Sequence, residues 1–456
     1  MGIGLDSTPS GNGSGASSDG SCENPRGSLL LDLPVPFRRI DGVLHVESQA
    51  HNGIHRWLDN FGRVTICAPR VPDSLIDPSI FWLPVDDLVQ RGGLKLHELP
   101  WGYHPVAHLR HRAQVRALFR RLIGSHQYLC FSNLGWAGAW GNIAAREAAR
   151  LHRPYSIWLD WVLHDKPELG GAERSGWHVM HAIRDWLEKR KSISAVRGAS
   201  LGLFHGQTVY DAYAPISRNP HVVHNIHLSR QDVIAPEALT SRLEQARERV
   251  QIGYVGRVHA MKGPLQWIDA MERLSLQHPD GFKATWLGDG PLLAECRRQV
   301  VLRGLGDIVF FPGTERNRFK VLGFLQSLDL FAFCHLTSES PRCLIEALMS
   351  GVPIVGYDST YARELVVGAG GGDFVPVGDV RNLANKLANL LAKASVRRAM
   401  STSARTAGER FSDEAVFAHR SELIKRHLAV NSPSPPLASR GRESSARVPA
   451  RSLRGE

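Results

Sequence analysis

The chain has 456 residues, and its 43% hydrophobic and 22% charged content excludes a wholly disordered or collagen-like polymer. That length is about three times an ordinary domain, which implies two large or three ordinary domains. With 55 Lys and Arg against 44 Asp and Glu, the net charge is +11, so the surface attracts anions such as phosphates, nucleotides or acidic lipid headgroups.

Residues 1–27 are dominated by Gly, Ser, Asn and Pro, too poor in apolar groups to offset ordering entropy, and are expected to form a disordered tail. The segment 28–37 (SLLLDLPVPF) carries Asp32 and two prolines and reads as a lead-in. Apolar runs at 42–47, 64–69, 128–132, 156–162 and 201–205 read as strands, with helix-length stretches such as 140–151 between them. In QAHNGIHRWLDNF (49–61), Trp57 and Phe61 lie four apart and mark the core stripe of a helix. After a polar, helix-prone stretch at 229–248 the pattern restarts, with strands expected at 250–256, 284–288, 307–313, 330–334 and 352–358.

Alternation of this kind predicts an α/β protein of two parallel-sheet units, one over 28–235 and one over 250–412. A last helix over 413–430 is expected to pack back on the first unit. Residues 431–456 carry five arginines in a Pro/Ser-rich context, either a solvated disordered tail or a tether to an anionic membrane. The six cysteines (Cys22, Cys67, Cys130, Cys296, Cys334, Cys343) show no C-x-x-C pair, which argues against a disulfide framework or structural zinc and fits a reducing compartment. No run of about 18 apolar residues and no basic-then-apolar leader is present, so the expected location is cytoplasmic, with peripheral contact at the inner membrane face.

Four segments of the second half carry chemistry. In VQIGYVGRVHAMKG (250–263) a strand ends at Gly256, and Arg257 and Lys262 follow on a loop where two cations can converge on a diphosphate. In SESPRCLIEALMSGVPIVGYD (338–358), Ser340 suits an N-cap, Pro341 the first helical position and Gly351 the stop, predicting a helix over 341–350. Its free amides would face the strand ends, where anions bind, and Glu346 could accept hydrogen bonds from a ribose diol. WLGDGPLL (286–293) offers a further glycine turn, and GAGGG (368–372) either approaches a ligand or is a mobile loop.

The order and spacing of these segments resemble the group 1 retaining glycosyltransferases (glycosyltransferase family 4), over about 250–412. The resemblance implies the GT-B architecture, two Rossmann-like domains facing across a cleft, with residues 38–230 matching only loosely as the acceptor side. It implies that Gly256, Arg257 and Lys262 hold the donor diphosphate, and that amides around Arg342, Cys343 and Leu344 assist beside Ser340. Glu346 would bind the ribose hydroxyls, and the segment from Gly313 to Arg316 would lie beside the base.

Two positions depart from the family pattern. Where an acid commonly stands eight residues before Glu346 the chain has Ser338, and Glu339 either takes that role by a local shift or is a solvated charge at the helix start. Where a histidine commonly faces the donor sugar, counting from Pro154 gives Asp160, with His164, Asp165 and His205 as rivals. Asn52 and Gly53 partly match the family's glycine loop after the first strand.

The implied activity is transfer of a sugar from a nucleotide-diphosphate donor to a saccharide or lipid-linked hydroxyl acceptor, with retention, by a hexosyltransferase-like enzyme. The absence of a D-x-D motif agrees with side-chain cations in place of a metal, so neither metal nor cofactor is expected. A non-catalytic nucleotide-sugar-binding protein and a sugar-nucleotide epimerase are the rival readings. No reading helix, zinc finger or aromatic-basic platform supports a nucleic-acid partner.

Overall fold

The computed structural model describes residues 27–76, 80–132, 140–160, 162, 177–337 and 339–429. The expected tails, Ser338, His164 and Asp165 lie outside the described residues.

Seven parallel strands form the first sheet: β1 (Ser28–Asp32), β2 (Arg63–Pro69), β3 (Leu94–Leu99), β4 (Tyr128–Phe131), β5 (Ser156–Leu159), β6 (Leu201–His205) and β7 (Pro220–Val223). Their spatial order is β7-β6-β5-β4-β1-β2-β3. The expected lead-in is therefore an interior strand, between β4 and β2. Leu29, Leu30 and Leu31 are fully buried because helices cover both faces, and Pro34 and Pro36 fall just beyond, where the strand ends. The run expected as the first strand instead contributes Val43–Glu47 to a small antiparallel sheet with Arg38–Ile40 and Trp82–Pro84.

The second sheet comprises β8 (Val250–Val255), β9 (Phe282–Leu287), β10 (Val309–Gly313), β11 (Leu330–Phe333), β12 (Ile354–Tyr357) and β13 (Gly372–Val375), all parallel, in the order β10-β9-β8-β11-β12-β13. Each sheet thus runs outward from its first strand in one direction and from its fourth in the other. That order opens a crevice at the carboxyl ends of β1 and β4, and another at those of β8 and β11, the positions at which doubly wound sheets bind ligands.

The helices that shape these crevices are α1 (Ser48–Asn60), α2 (Pro105–Gly124), α3 (Pro264–Gln277), α4 (Arg342–Met349) and α5 (Asp413–His427). Although α5 follows the second sheet in the chain, it packs on the first domain. The Phe417 ring meets Trp57 of α1 edge-on at 5.1 Å, and both are buried. Asp413, also buried, accepts from Asn52 Nδ2 at 2.7 Å and pairs with Arg56 at 3.1 Å. Arg420 is fully buried, its guanidinium 4.4 Å from the Trp158 ring centroid and donating to the His224 carbonyl. Burial pulls its pKa down to about 10, which leaves it charged at neutral pH.

Phe417→Ala would empty the contact between α5 and α1, and denaturant titration is expected to show a loss of about 3–5 kcal/mol. A loss below about 1 kcal/mol would mean that the ring does not fill a packed core.

Candidate active site between the two sheets

The loops after β8 and β11 lie side by side. β8 is followed directly by Gly256, whose carbonyl accepts from Trp286 Nε1 at 3.0 Å and whose amide donates to the Leu287 carbonyl at 3.0 Å. A Cβ on Gly288 would stand 2.0 Å from that same carbonyl, so the turn in WLGDGPLL buttresses the loop carrying Arg257. The Val258 amide donates to Asp289 and the Leu292 amide to Val258, closing the buttress. Arg257 is exposed and has no ion-pair partner among the described residues.

Lys262 ends a short 3₁₀ turn, Ala260–Lys262, and its ammonium lies 2.5 Å from Glu339 Oε2, with both side chains largely buried. Two further contacts fix the loops together. The Leu336 amide donates to the Met261 carbonyl at 2.9 Å, and Gly263, at φ +62°, leaves no room for a Cβ, which would sit 2.2 Å from the Cys334 carbonyl. Tyr254 Oη lies 2.7 Å from His335 Nε2, tying β8 to the loop after β11 from below.

Helix α4 begins at Arg342 with Pro341 as its cap residue, so the expected Ser340 cap is corrected. Ser340 Oγ instead donates to the His205 carbonyl at 3.0 Å, across the domains, which makes the hydroxyl unavailable to the helix. The amide of Leu344 already donates to Pro341 at 3.2 Å, so Leu344 is removed from the expected anion-binding amides, and its side chain is core. Arg342 and Cys343 occupy the open first turn, where helical amides lack intrahelical partners. Burial pushes the Cys343 thiol up to about 12, so it stays protonated. Glu346, one turn on, has its carboxyl raised by burial, an effect that Arg342 and Arg318 oppose. Gly313 ends β10 at φ +100°, its carbonyl accepting from the Gly288 amide at 2.9 Å.

The facing wall belongs to the first domain. A cavity of about 570 Å³ lies between the lobes, bounded by Asp160, His205, Asn225 and His227 on one side and by Ser340 and Arg342 on the other. Arg257 and Lys262 are not in its lining; Lys262 is connected to it through Glu339, the neighbour of the lining residue Ser340. Asp160 is exposed and held by Trp158 Nε1 at 2.6 Å and Asn225 Nδ2 at 3.2 Å. His205 is buried between the carbonyls of Val223, 3.3 Å from Nδ1, and Ser340, 3.2 Å from Nε2, so it is an interdomain joint. A second joint runs from the Gln207 amide to Glu364 at 2.9 Å.

Asn52 and Gly53 do not form a glycine loop. Both lie on α1, Asn52 engaged by Asp413 and Gly53 packed against Phe417, because β1 starts earlier than expected and its own loop at Leu33–Val35 borders the cavity. The GAGGG run is not a loop beside a ligand either. Gly371 abuts the helix Ala394–Gly408, where a Cβ would stand 2.5 Å from Ala404 Cα, and Gly372 opens β13.

Sequence reasoning missed Glu47, Asn225, His227 and Arg420. Burial raises the Glu47 carboxyl, with Arg342 across the cavity opposing the rise. The polar HNIH directly after the apolar PHVV was a legible signal for Asn225 and His227, since polar residues at a strand's carboxyl end mark a ligand edge. Arg420 had no such signal.

These observations define a two-domain GT-B fold with a cleft of mixed apolar and polar lining between the two sheets. Residues 238–407, somewhat over a third of the chain, match the family model described as "Glycosyl transferases group 1". The chain is 29% identical over 194 residues to the Vi polysaccharide biosynthesis protein VipC/TviE of Salmonella typhi, covering 41% of this chain and 31% of that protein. It is 32% identical over 121 residues to the lipopolysaccharide core biosynthesis mannosyltransferase LpsB of Rhizobium meliloti, covering 26% and 34%. The matched stretch thus spans about a third of the length of these curated relatives. Among solved structures, Anabaena Alr3699/HepE in complex with UDP aligns at a TM-score of 0.62 and 17% identity, over 86% of this chain and 98% of that one. WaaG, a glycosyltransferase involved in lipopolysaccharide biosynthesis, aligns at 0.58 and 11% identity, over 87% and 99%.

Burial lowers the His205 pKa below its ordinary value, with His224 and Arg420 adding to the fall and Asp160 opposing it. The unfolded chain therefore binds the proton that the folded chain refuses, and the contribution of His205 to stability falls as the pH drops below about 6.5. Thermal melts from pH 8 to 5 are expected to show a shallower loss for His205→Gln than for the unmodified protein; equal slopes would contradict the assignment.

Proposed function

We propose that the protein transfers a sugar, with retention, from a nucleoside-diphosphate sugar to a hydroxyl acceptor during polysaccharide or glycolipid assembly. The observation that carries the reading is that Lys262, in the loop after β8, is held by Glu339 in the loop after β11, three residues before the open first turn of α4, whose Arg342 lines the cavity. Arg257, unpaired among the described residues, adds a third positive group on the same edge. The solved neighbour HepE was captured with UDP and, in another structure, with UDP-glucose, and relatives named for Vi polysaccharide and lipopolysaccharide core synthesis supply the setting.

In this reading the diphosphate displaces Glu339 from Lys262, because a phosphate brings more negative charge to the same ammonium. Arg257, Lys262 and the Arg342 and Cys343 amides then face the oxygen that gains charge as the glycosidic bond breaks, which is where preorganised cations and dipoles contribute most. The Glu339 carboxylate, released, stands beside the sugar together with Asp160 across the cleft. Glu346 accepts from the ribose hydroxyls, Gly313–Arg316 border the base, and the acceptor proton leaves on a phosphate oxygen. These cations supply the countercharge that a divalent metal would otherwise provide.

Lys262→Ala and Arg257→Ala are each expected to lower kcat by about 10²–10³ with an unchanged circular dichroism spectrum. Near-normal transfer by both variants would remove the assignment. For Glu346→Gln, isothermal titration is expected to show UDP affinity weakened roughly tenfold, the loss of a hydrogen bond to a charged group. UDP binding with no turnover on any donor–acceptor pair would favour a binding protein instead.

A further inference from the structure

We propose that α2 docks the protein on an anionic lipid bilayer, with the mouth of the interdomain cavity turned toward the membrane. The inference adds a partner to the proposed function and rests on it only for the nature of the acceptor.

The first two turns of α2 expose what a soluble surface normally hides. Val106 and Leu109 are each 67% exposed, and Tyr103, just before the helix, is 42% exposed. With Ala113 and Ala117, both exposed, Val106 and Leu109 follow the i, i+3, i+7, i+11 spacing that makes one straight stripe along a helix. The opposite face carries Val115, Phe119, Leu122 and Ile123, all buried in the first domain's core. The helix is therefore apolar on two faces, and the domain accounts for one.

Charge identifies the other occupant. The helix PVAHLRHRAQVRALFRRLIG holds five arginines and no carboxylate. At about 100° per residue, Arg112 and Arg116 flank the exposed stripe on one side and Arg110 and Arg121 on the other, with Arg120 at its far end. Arg116 is bound by Glu147 at 2.7 Å, whereas Arg110, Arg112, Arg120 and Arg121 have no carboxylate partner among the described residues. An apolar stripe bordered by unpaired cations is the composition of a helix that lies in the headgroup layer of an anionic leaflet, side chains in the acyl boundary and guanidinium groups on phosphates.

Position makes this docking useful. Tyr103 both lines the interdomain cavity and stands one residue from the start of α2 after His104. The cavity wall on that side is apolar, with Leu33, Val35, Ile54 and Phe417. An acceptor with its sugar hydroxyl at the surface and its apolar chain in the bilayer could then reach the cleft without leaving the membrane.

The test is co-sedimentation of the full chain with phosphatidylcholine vesicles, with and without phosphatidylglycerol. Binding is expected only with phosphatidylglycerol and is expected to fall as salt rises. Two variants separate the parts: Val106→Ser with Leu109→Ser, and Arg110→Gln with Arg112→Gln. Each is expected to lower the partition coefficient roughly tenfold or more, while a chain lacking residues 431–456 keeps most of the binding. UDP titration on the same samples reports whether the cleft is intact, since none of the four residues has been placed in it. Binding by both variants as strong as by the unmodified chain, equal binding to neutral vesicles, or complete loss on removing 431–456 would each overturn the proposal. Vesicle binding without any UDP binding would leave docking standing and remove the transferase reading.

Discussion

The ion pair between Lys262 and Glu339 holds the second domain's switch point in its present form. Two loops that follow strands 78 residues apart in sequence meet there, and each brings groups that would be unstable alone in a largely buried place. An ammonium out of water needs a negative partner, and so does the carboxylate need a positive one. The pair satisfies both while no phosphate is present. It also sets the proposed site's charge logic: a stronger anion would take the carboxylate's place, with Arg257 in the loop after β8 and the open turn of α4 after β11 at the same carboxyl edge of the sheet. Glycines at 256, 263 and 288 make this proximity possible, since a side chain at 263 or 288 would meet a carbonyl, and one at 256 the Tyr254 ring, at closer than van der Waals distance.

Interdomain contacts determine what faces that charge. Ser340 and His205 exchange contacts through backbone carbonyls, Glu364 receives the Gln207 amide, and α5 crosses back to bury Phe417 and Arg420 under the first sheet. The site on one lobe is thus coupled to the other at both of its edges. His205, neutral and buried, is a structural joint at the cleft, while Asp160 is exposed and already oriented by Trp158 and Asn225, and in the proposed reaction it would be a group of that wall that meets the sugar.

Much of this was legible in the sequence where local chemistry and tertiary role coincide. The second domain's strands other than β13, the Gly256–Lys262 loop and the helix carrying Glu346 follow from apolar runs, glycine turns and spacing alone. The first domain was harder, because β1 is short, bears Asp32 and precedes two prolines, so burial by both faces is invisible until the sheet is assembled. β3 (LKLHEL) alternates with charged residues as an edge strand does, which hides it among surface segments. Ser340 has the chemistry of a helix cap and was read as one; the residue it actually serves lies 135 positions away. Asn52 is likewise engaged by a partner on α5, 361 residues distant, while Gly53 borders the cavity as expected but from a helix and not from a glycine loop. Side-chain roles set by long-range partners are beyond a reading of periodicity.

The central claim is that a nucleoside diphosphate sits against Lys262, Arg257 and the first turn of α4. A crystal structure of the protein with UDP tests it directly. The account predicts β-phosphate oxygens within hydrogen-bond distance of Lys262 Nζ and the Arg342 or Cys343 amide, with Glu339 turned away from the ammonium. UDP bound elsewhere, or bound with its phosphates in solvent and the Lys262–Glu339 pair undisturbed, would contradict it.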